Sequence, residues 1–554
     1  MKRDEEKIEI TLKSGGKFTF SKGVLLSEIL ENLDKENKQK IVLARIDSHI
    51  LNLNHRLEKG GKIYWIPLNT PEGTRSYRYT LCLILITAMK QILPEERVII
   101  NHSIGKGLYC EFKTKRKATS SIIKETEKRM QKIISMNERI VPVTLKTDEA
   151  IKQFEKDEKR PNLILPENKP DYITFYKLRE NLEYFCYPLL PSTGFIESFA
   201  LRLYKPGFIL RFPYEERPEL LAPFIKQKKL SRVFHEYHRW ESILGLEKLS
   251  DINHSIIEGK LAELIKIGEA LHEKKIVFIA DRITKIKKRC RIILISGPSS
   301  SGKTTFTKRL LIQLKVNHIR PLSISMDDYF FDRDMIPLDR DGKQDFESLS
   351  AVDTERLKHD LYKLLRGESV NIPHFDFKTG KRVDGQPCLL EPDQPILIEG
   401  IHALNDTIVD LIPVHRVLKI YVSALTQLNI TDHIRVHTSD VRLFRRLIRD
   451  NRFRGYLPEH ILKLWPEVRR GEEKYIFPYQ EKSDIIFNSS LSYELCILKS
   501  LALPLLETIE ENHESYPEAL RLKELLQHIL PGPPAIVPPN SILREFIGES
   551  SFEY

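Results

Sequence analysis

The sequence predicts a multidomain protein of mixed α+β and α/β class: an N-terminal β-grasp, an α+β middle unit, and a C-terminal domain with a mainly parallel sheet flanked by helices. Three observations predict it. At 554 residues the chain is too long for one hydrophobic core. From residue 8 to 68, short alternating apolar runs surround a single helical stripe. Finally, Ile292-Ile293-Leu294-Ile295 reads as a buried strand and leads into Ser296-Gly297-Pro298-Ser299-Ser300-Ser301-Gly302-Lys303-Thr304-Thr305, with an amphipathic helix behind it. Gly297 to Thr304 fits G-x-x-x-x-G-K-[ST], the phosphate-binding P-loop.

Bulk properties set the frame. A composition of 41% hydrophobic and 30% charged residues is that of a soluble globular protein. The chain opens Met1-Lys2-Arg3-Asp4-Glu5, without the apolar segment of a secretory signal, and the longest apolar run, Tyr79 to Met89, is too short to cross a bilayer. Six scattered cysteines without a C-x-x-C pair point to reduced thiols. The expectation is a cytoplasmic protein with no membrane partner. The net charge of +11 is weak evidence for RNA, because much of the arginine lies in one helix near residue 445.

The first unit, 1–68, is read from Ile8-Glu9-Ile10-Thr11-Leu12, the Ser14-Gly15-Gly16 turn, Lys17 to Phe20, a helix over Leu25 to Leu33, and strands at Ile41 to Ile46 and Lys62 to Pro67. These pieces, with Gly60-Gly61-Lys62-Ile63, resemble a TGS domain, which implies contact with RNA or a regulatory ligand. The second unit, 69–240, resembles the second additional domain of threonyl-tRNA synthetases, through His102 to Phe112, the charged helix Ser121 to Asn137 and Phe185-Cys186-Tyr187-Pro188. In that family an H-x-x-x-H and a C-x-x-x-H line an editing pocket. Here Tyr79-Thr80-Leu81-Cys82-Leu83 stands for the first and Leu190 ends the second, so editing and metal binding are not expected. His235-Glu236-Tyr237-His238 has the wrong spacing for a zinc motif. Residues 241–288, with Ile256, Leu261, Leu264 and Ile265 at helical spacing, read as a helical connector.

The third unit, 289–490, carries the chemistry. Gly297 and Gly302 allow a loop whose N–H groups point inward at phosphate, while the helix from Lys303 presents its positive end. Lys303 would reach the β- and γ-phosphates and Thr304 would ligate Mg²⁺. Leu322 to Met326 then delivers Asp327 and Asp328, and Gln394 to Ile398 delivers Glu399, at the carboxyl edge of the sheet. Asp327 can accept a hydroxyl proton, and Glu399 can orient Mg²⁺ or its water. In Asp440 to Asp450, Leu443, Phe444, Leu447 and Ile448 make an apolar face while Arg442, Arg446 and Arg449 line another; Arg452 and Arg454-Gly455 follow. That arginine face suits a lid closing on polyphosphate.

In this order, with Ile372-Pro373-His374-Phe375-Asp376-Phe377 between, these segments resemble the uridine kinase and phosphoribulokinase family of P-loop kinases. The resemblance implies ATP or GTP as donor, Mg²⁺ as cofactor and a nucleoside-like acceptor. It places Lys303 on the phosphates, Thr304 and Glu399 at the metal, Asp327 as base, Phe375 and Phe377 beside Asp376 in the acceptor pocket, and Arg446, Arg449 and Arg454 on the lid. Three departures concern the acceptor: Gly380 stands where a base-reading histidine is expected, only Glu347 can serve as the acidic ribose contact, and Tyr456 replaces a lid arginine.

Residues 491–554 read as two helices followed by a proline-rich, partly extended tail, which Ser541 to Ile547 could dock back. Two other functions compete with a kinase. Asn168-Lys169-Pro170-Asp171 spells the guanine-reading N-K-x-D of an RNA-associated GTPase, though it precedes the P-loop and its D-x-x-G companion, Asp339 to Gly342, lacks a buried strand. An RNA-binding regulator with a secondary kinase domain is the other. A homo-oligomer is compatible with all three readings.

Overall fold

The computed structural model describes residues 6–13, 15–33, 40–158, 170–215, 217–338, 342, 344–376, 379–410 and 412–554. In the first unit β1 (Lys7–Leu12) and β2 (Lys17–Ser21) pair antiparallel, α1 (Leu26–Leu33) follows, and β3 (Ile41–Ile46), β4 (His49–Asn52) and β5 (Gly61–Pro67) complete a sheet of order β2-β1-β5-β3-β4. Ile8, Ile10, Leu26, Ile29 and Ile63 close one small core between sheet and helix. This is the expected β-grasp with one strand more than its alternation suggests. Asp47 takes φ +52° in a two-residue turn, so β4 follows β3 without a recognisable loop.

The middle unit is built on α2 (Pro71–Ile92), which starts where Thr70 accepts the Gly73 N–H at 3.1 Å and Pro71 takes the first helical position. The apolar run Tyr79 to Met89 lies within it, almost wholly buried; no described helix is long and apolar enough to cross a membrane. β6 (Val98–Ser103), β7 (Gly107–Phe112), α3 (Ser120–Ser135), β8 (Val141–Lys146), α4 (Thr147–Glu158), β9 (Tyr172–Leu178), β10 (Asn181–Tyr184), β11 (Ala200–Tyr204) and β12 (Gly207–Arg211) follow. They form two antiparallel sheets, β11-β12-β7-β6 and β10-β9-β8. Asp171 precedes β9, outside the sheet that carries the P-loop; Asn168, Lys169 and 339–341 lie outside the described residues.

α5 (Lys228–Leu244) runs through the boundary expected at 240, and α6 (Leu249–Ile257) and α7 (Leu261–Ile286) occupy the expected connector, but these helices are more than a spacer. Glu269 and Glu273 of α7 pair with the buried Arg309 of the helix behind the P-loop, at 3.3 and 2.6 Å. Lys248, just before α6, sits 2.5 Å from Asp432, which also holds Lys113 at 2.9 Å and Arg97 at 3.7 Å. Burial alone would raise the Asp432 carboxyl, yet these cations hold it well below the usual carboxylate range. Asp432→Ala leaves Lys248 buried without its carboxylate and is expected to cost about 3–5 kcal/mol of stability, read as a fall in the denaturation midpoint. A depressed carboxyl stabilises above its unfolded value, so this contribution fades as pH falls from about 4 toward the lower folded value.

The C-terminal half contains β13 (Ile292–Ser296), α8 (Lys303–Val316), β14 (Leu322–Ser325), α9 (Thr354–Leu365), β15 (Val370–Asp376), β16 (Lys381–Cys388), β17 (Ile396–Glu399), β18 (Val417–Ser423), α10 (Thr438–Arg454), α11 (Pro458–Tyr475) and β19 (Ile485–Asn488). Five strands form one parallel sheet, β14-β17-β13-β18-β19, and β15 with β16 makes a separate hairpin. The β13 residues are all buried, as a strand covered by helices on both faces must be. α12 (Glu494–Glu507), α13 (Tyr516–Gln527) and the single turn α14 (Arg544–Ile547) end the chain. The segment after the prolines docks, with Ile542, Leu543, Phe546 and Ile547 buried in the main core.

Candidate active site

Strand register assembles the site. Ile295 of β13, Glu399 of β17 and Ser325 of β14 lie side by side in the parallel sheet. The residues that follow each strand therefore emerge at one carboxyl edge, where an open α/β sheet leaves its crevice. That register brings Gly297, Asp327 and Glu399 together although 102 positions separate the first from the last.

The loop after β13 is tightly built. A Cβ on Gly297 would stand 1.9 Å from the Val422 carbonyl oxygen, so only glycine fits against β18. Ser300 takes φ +56° and Gly302 φ +81°, the left-handed turns that curl the loop ahead of α8. The Ser300 and Ser301 hydroxyls are buried without a hydrogen-bond partner among the described residues, which suits them to donate to an anion. Lys303 is 9% exposed, and its Nζ donates to the Pro298 carbonyl at 3.2 Å, folded over the loop.

Three carboxyl groups face this loop. Burial pushes Glu399 up to about 7, with Lys303 opposing, and its two oxygens lie 3.4 and 3.5 Å from the Thr304 hydroxyl. Burial likewise raises Asp327, with Lys303 opposing and Asp328 adding to the rise. Glu347 is pushed up to about 7 by burial, against the pull of Arg446. These mutual influences show that Lys303, Asp327, Glu347 and Glu399 share one electrostatic site. Thr304 and Glu399 are hard oxygen donors, the type Mg²⁺ takes when it keeps waters and phosphate oxygens for its other positions. Among the described residues there is no cluster of three or more His, Cys, Asp or Glu side chains suited to a metal.

The arginines of α10 divide by depth. Arg442 is 1% exposed and pairs with Glu472 of α11 at 3.0 Å while donating to the Ser299 carbonyl at 2.9 Å. Arg445, fully buried, binds Glu494 at 2.6 Å. Arg446 donates to the Ser299 hydroxyl at 3.1 Å, and Arg446, Arg449 and Arg454 all reach the buried Asp450, at 3.2, 2.8 and 3.5 Å. The reading of Arg442 as part of a lid face is therefore corrected: it is a buried prop of the loop. With Val441, Leu443, Phe444, Leu447 and Ile448 buried as well, α10 is a packed wall of the site, and its arginine side faces the P-loop.

This combination of loop, carboxylates and guanidinium groups is accompanied by a sequence match. Residues 292–494 match the Phosphoribulokinase / Uridine kinase family. That segment contains Gly297, Lys303, Thr304, Asp327, Glu347, Glu399, Arg446, Arg449 and Arg454. A separate likeness runs to threonine–tRNA ligases: 29% identity over 194 residues with that of Caldanaerobacter subterraneus subsp. tengcongensis, and 32% over 197 residues with that of Clostridium tetani. Each alignment takes 35% of this chain and only 30% or 31% of the ligase. The chain thus spans under a third of the length of these relatives. A solved structure of a possible uridine kinase from Bacillus stearothermophilus covers 39% of this chain and 98% of its own, at 20% identity and a TM-score of 0.26. Residues 292–494 thus resemble the phosphoribulokinase and uridine kinase family, and a separate stretch of the chain resembles threonine–tRNA ligases.

Within the kinase-type segment, the acceptor side departs most from expectation. The Phe375 ring is 4% exposed and packs on Phe330 with centroids 5.7 Å apart, so it belongs to the core and offers no open face to a base. Asp376 accepts from the Thr379 hydroxyl at 2.9 Å, and Phe377 lies outside the described residues. Asp328 holds β15 in place through His374 Nδ1 at 3.0 Å and the Phe375 N–H at 3.2 Å. Gly380 takes φ +70° beside Arg333, a turn position that disfavours the expected histidine.

Sequence reasoning missed four residues. Glu472 accepts the Ser299 N–H at 3.1 Å, Asp450 gathers the three arginines, Glu545 binds Thr305, and His402, buried three residues after Glu399, is pushed down to about 4 by burial. Only His402 had a local signal, its place three residues after the β17 acid.

Proposed function

We propose that the chain transfers the terminal phosphoryl group of ATP or GTP, with Mg²⁺, to a hydroxyl group of a nucleoside-like acceptor. The observation that carries this reading is the convergence of Lys303, Asp327 and Glu399 on one P-loop, walled by Arg446 and Arg449. Mg²⁺, held by Thr304 and Glu399, would neutralise charge on the donor phosphates. The backbone N–H groups of Ser300 to Thr305 and the Lys303 ammonium would hold the polyphosphate. Asp327, made more basic by burial, would take the acceptor hydroxyl proton as that oxygen bonds to phosphorus and the nucleoside diphosphate departs. Arg446, Arg449 and Arg454 would balance charge on the transferring group, and Glu347 would orient the acceptor.

A donor and acceptor panel tests the reading: ATP and GTP against ribonucleosides, deoxyribonucleosides and small sugars. Phosphorylation of one acceptor class is expected. Absence of acceptor-dependent product across the panel would count against a nucleoside-like substrate.

A second reading, in which the N-terminal half receives RNA or a regulatory ligand, is favoured by one feature. A cavity of about 880 Å³ lies between β4, the β8 and β9 edge and α13. Its lining combines Arg56, Arg139, Tyr172, Tyr184 and His528, cations and rings suited to phosphates and bases, with the acids Glu58 and Glu524. Nearby, the Tyr79 hydroxyl and Cys186 Sγ lie 3.7 Å apart, and both groups are pushed up by burial, which suits neither metal binding nor editing chemistry.

A further inference from the structure

The end of the chain returns 240 residues to the P-loop helix. Thr305 is the third residue of α8, and its N–H is among the first-turn donors that have no partner inside the helix. Glu545 fills that role: one carboxylate oxygen accepts the Thr305 N–H at 3.1 Å and the Thr305 hydroxyl at 2.7 Å. The Tyr554 hydroxyl lies 2.7 Å from the same Thr305 oxygen, and Lys308, one turn further on, binds the Glu553 carbonyl. Ile542 is pressed against the loop itself; its Cγ2 lies 2.4 Å from where a Cβ on Gly302 would stand. The segment also fastens the arginine helix, with Phe546 under the Arg445 guanidinium at 5.0 Å and the Ile547 carbonyl accepting from Arg452 at 2.5 Å.

A carboxylate at the first turn of a P-loop helix takes the donors and the dipole end that a phosphate would take. Its negative charge also repels an arriving polyphosphate. We propose that the C-terminal segment 541–554 is a built-in competitor of the nucleotide, in which Glu545 stands in for a phosphate on Thr305 and must be displaced for the nucleotide to seat fully. This rests on the reading of the P-loop as the nucleotide site. It makes nucleotide binding and release of the segment one coupled event, so that anything drawing the segment away favours the nucleotide.

The test uses the full chain and reads binding instead of phosphoryl transfer. Affinity for ATP or GTP with Mg²⁺ is measured for the wild type, Glu545→Gln and Lys303→Ala, with hydrogen exchange of residues 541–554 followed with and without nucleotide. Glu545→Gln keeps size and removes charge, and is expected to bind about tenfold more tightly. In the wild type, nucleotide is expected to speed exchange in 541–554. Unchanged or weaker binding by Glu545→Gln, or greater protection of the segment on nucleotide addition, overturns the competitor. If binding still depends on Lys303 in that case, the nucleotide site stands without it. Tighter binding by Glu545→Gln with no acceptor phosphorylated leaves the competitor standing and removes the kinase.

Discussion

Lys303→Ala is expected to lower acceptor phosphorylation at least about a thousandfold while leaving the fold intact. Lys303 acts on both Asp327 and Glu399 and lies over the loop, so its loss removes charge from the place where the phosphoryl group would transfer. The variant's thermal midpoint is expected to stay near that of the wild type, since the contact of the Lys303 Nζ with the Pro298 carbonyl is a single hydrogen bond. Loss of activity together with loss of the folded state would instead make Lys303 a structural member of the loop. Initial rates and circular dichroism on the same preparation separate the two.

Asp327→Asn is expected to reduce turnover by about a hundredfold to ten-thousandfold, the range over which a positioned general base contributes. The acceptor affinity should change much less, because the amide retains the shape of the carboxylate. The pH profile supplies the sharper check. Burial raises the Asp327 carboxyl above its ordinary value, and a base works only when deprotonated. Turnover of the wild type should therefore fall as pH drops through that raised value, earlier than an exposed aspartate would dictate, and this acid limb should vanish in Asp327→Asn. An acid limb that survives unchanged would assign it to another carboxyl group of the site.

How much of this was legible depends on how local each signal is. The P-loop carries its motif, strand and helix within a few residues, and Asp327 and Glu399 each end a short apolar run, so periodicity finds them. The parallel sheet that sets them side by side follows from the same pattern. Glu472, Asp450 and Glu545 have no such signature. Glu472 and Glu545 meet the loop from 173 and 240 residues away, and nothing in an acid on a helix says which amide it will reach. Phe375 illustrates the opposite failure. An aromatic residue beside an acid on a strand fits a binding face, but the hairpin turns that ring inward onto Phe330. Arg442 and Arg446 look alike at i and i+4 and both reach Ser299, and only the packing of α11 shows that the first is buried against Glu472.

The central claim is that the P-loop, Asp327 and the arginine wall form one site for transfer to an acceptor. The most direct measurement follows nucleoside diphosphate and phosphorylated acceptor together, in wild type and Asp327→Asn. Equal amounts of the two products in the wild type, both falling in Asp327→Asn, are predicted. Nucleoside triphosphate hydrolysis that proceeds without acceptor and is indifferent to Asp327→Asn would contradict the account and leave a nucleotide switch in its place.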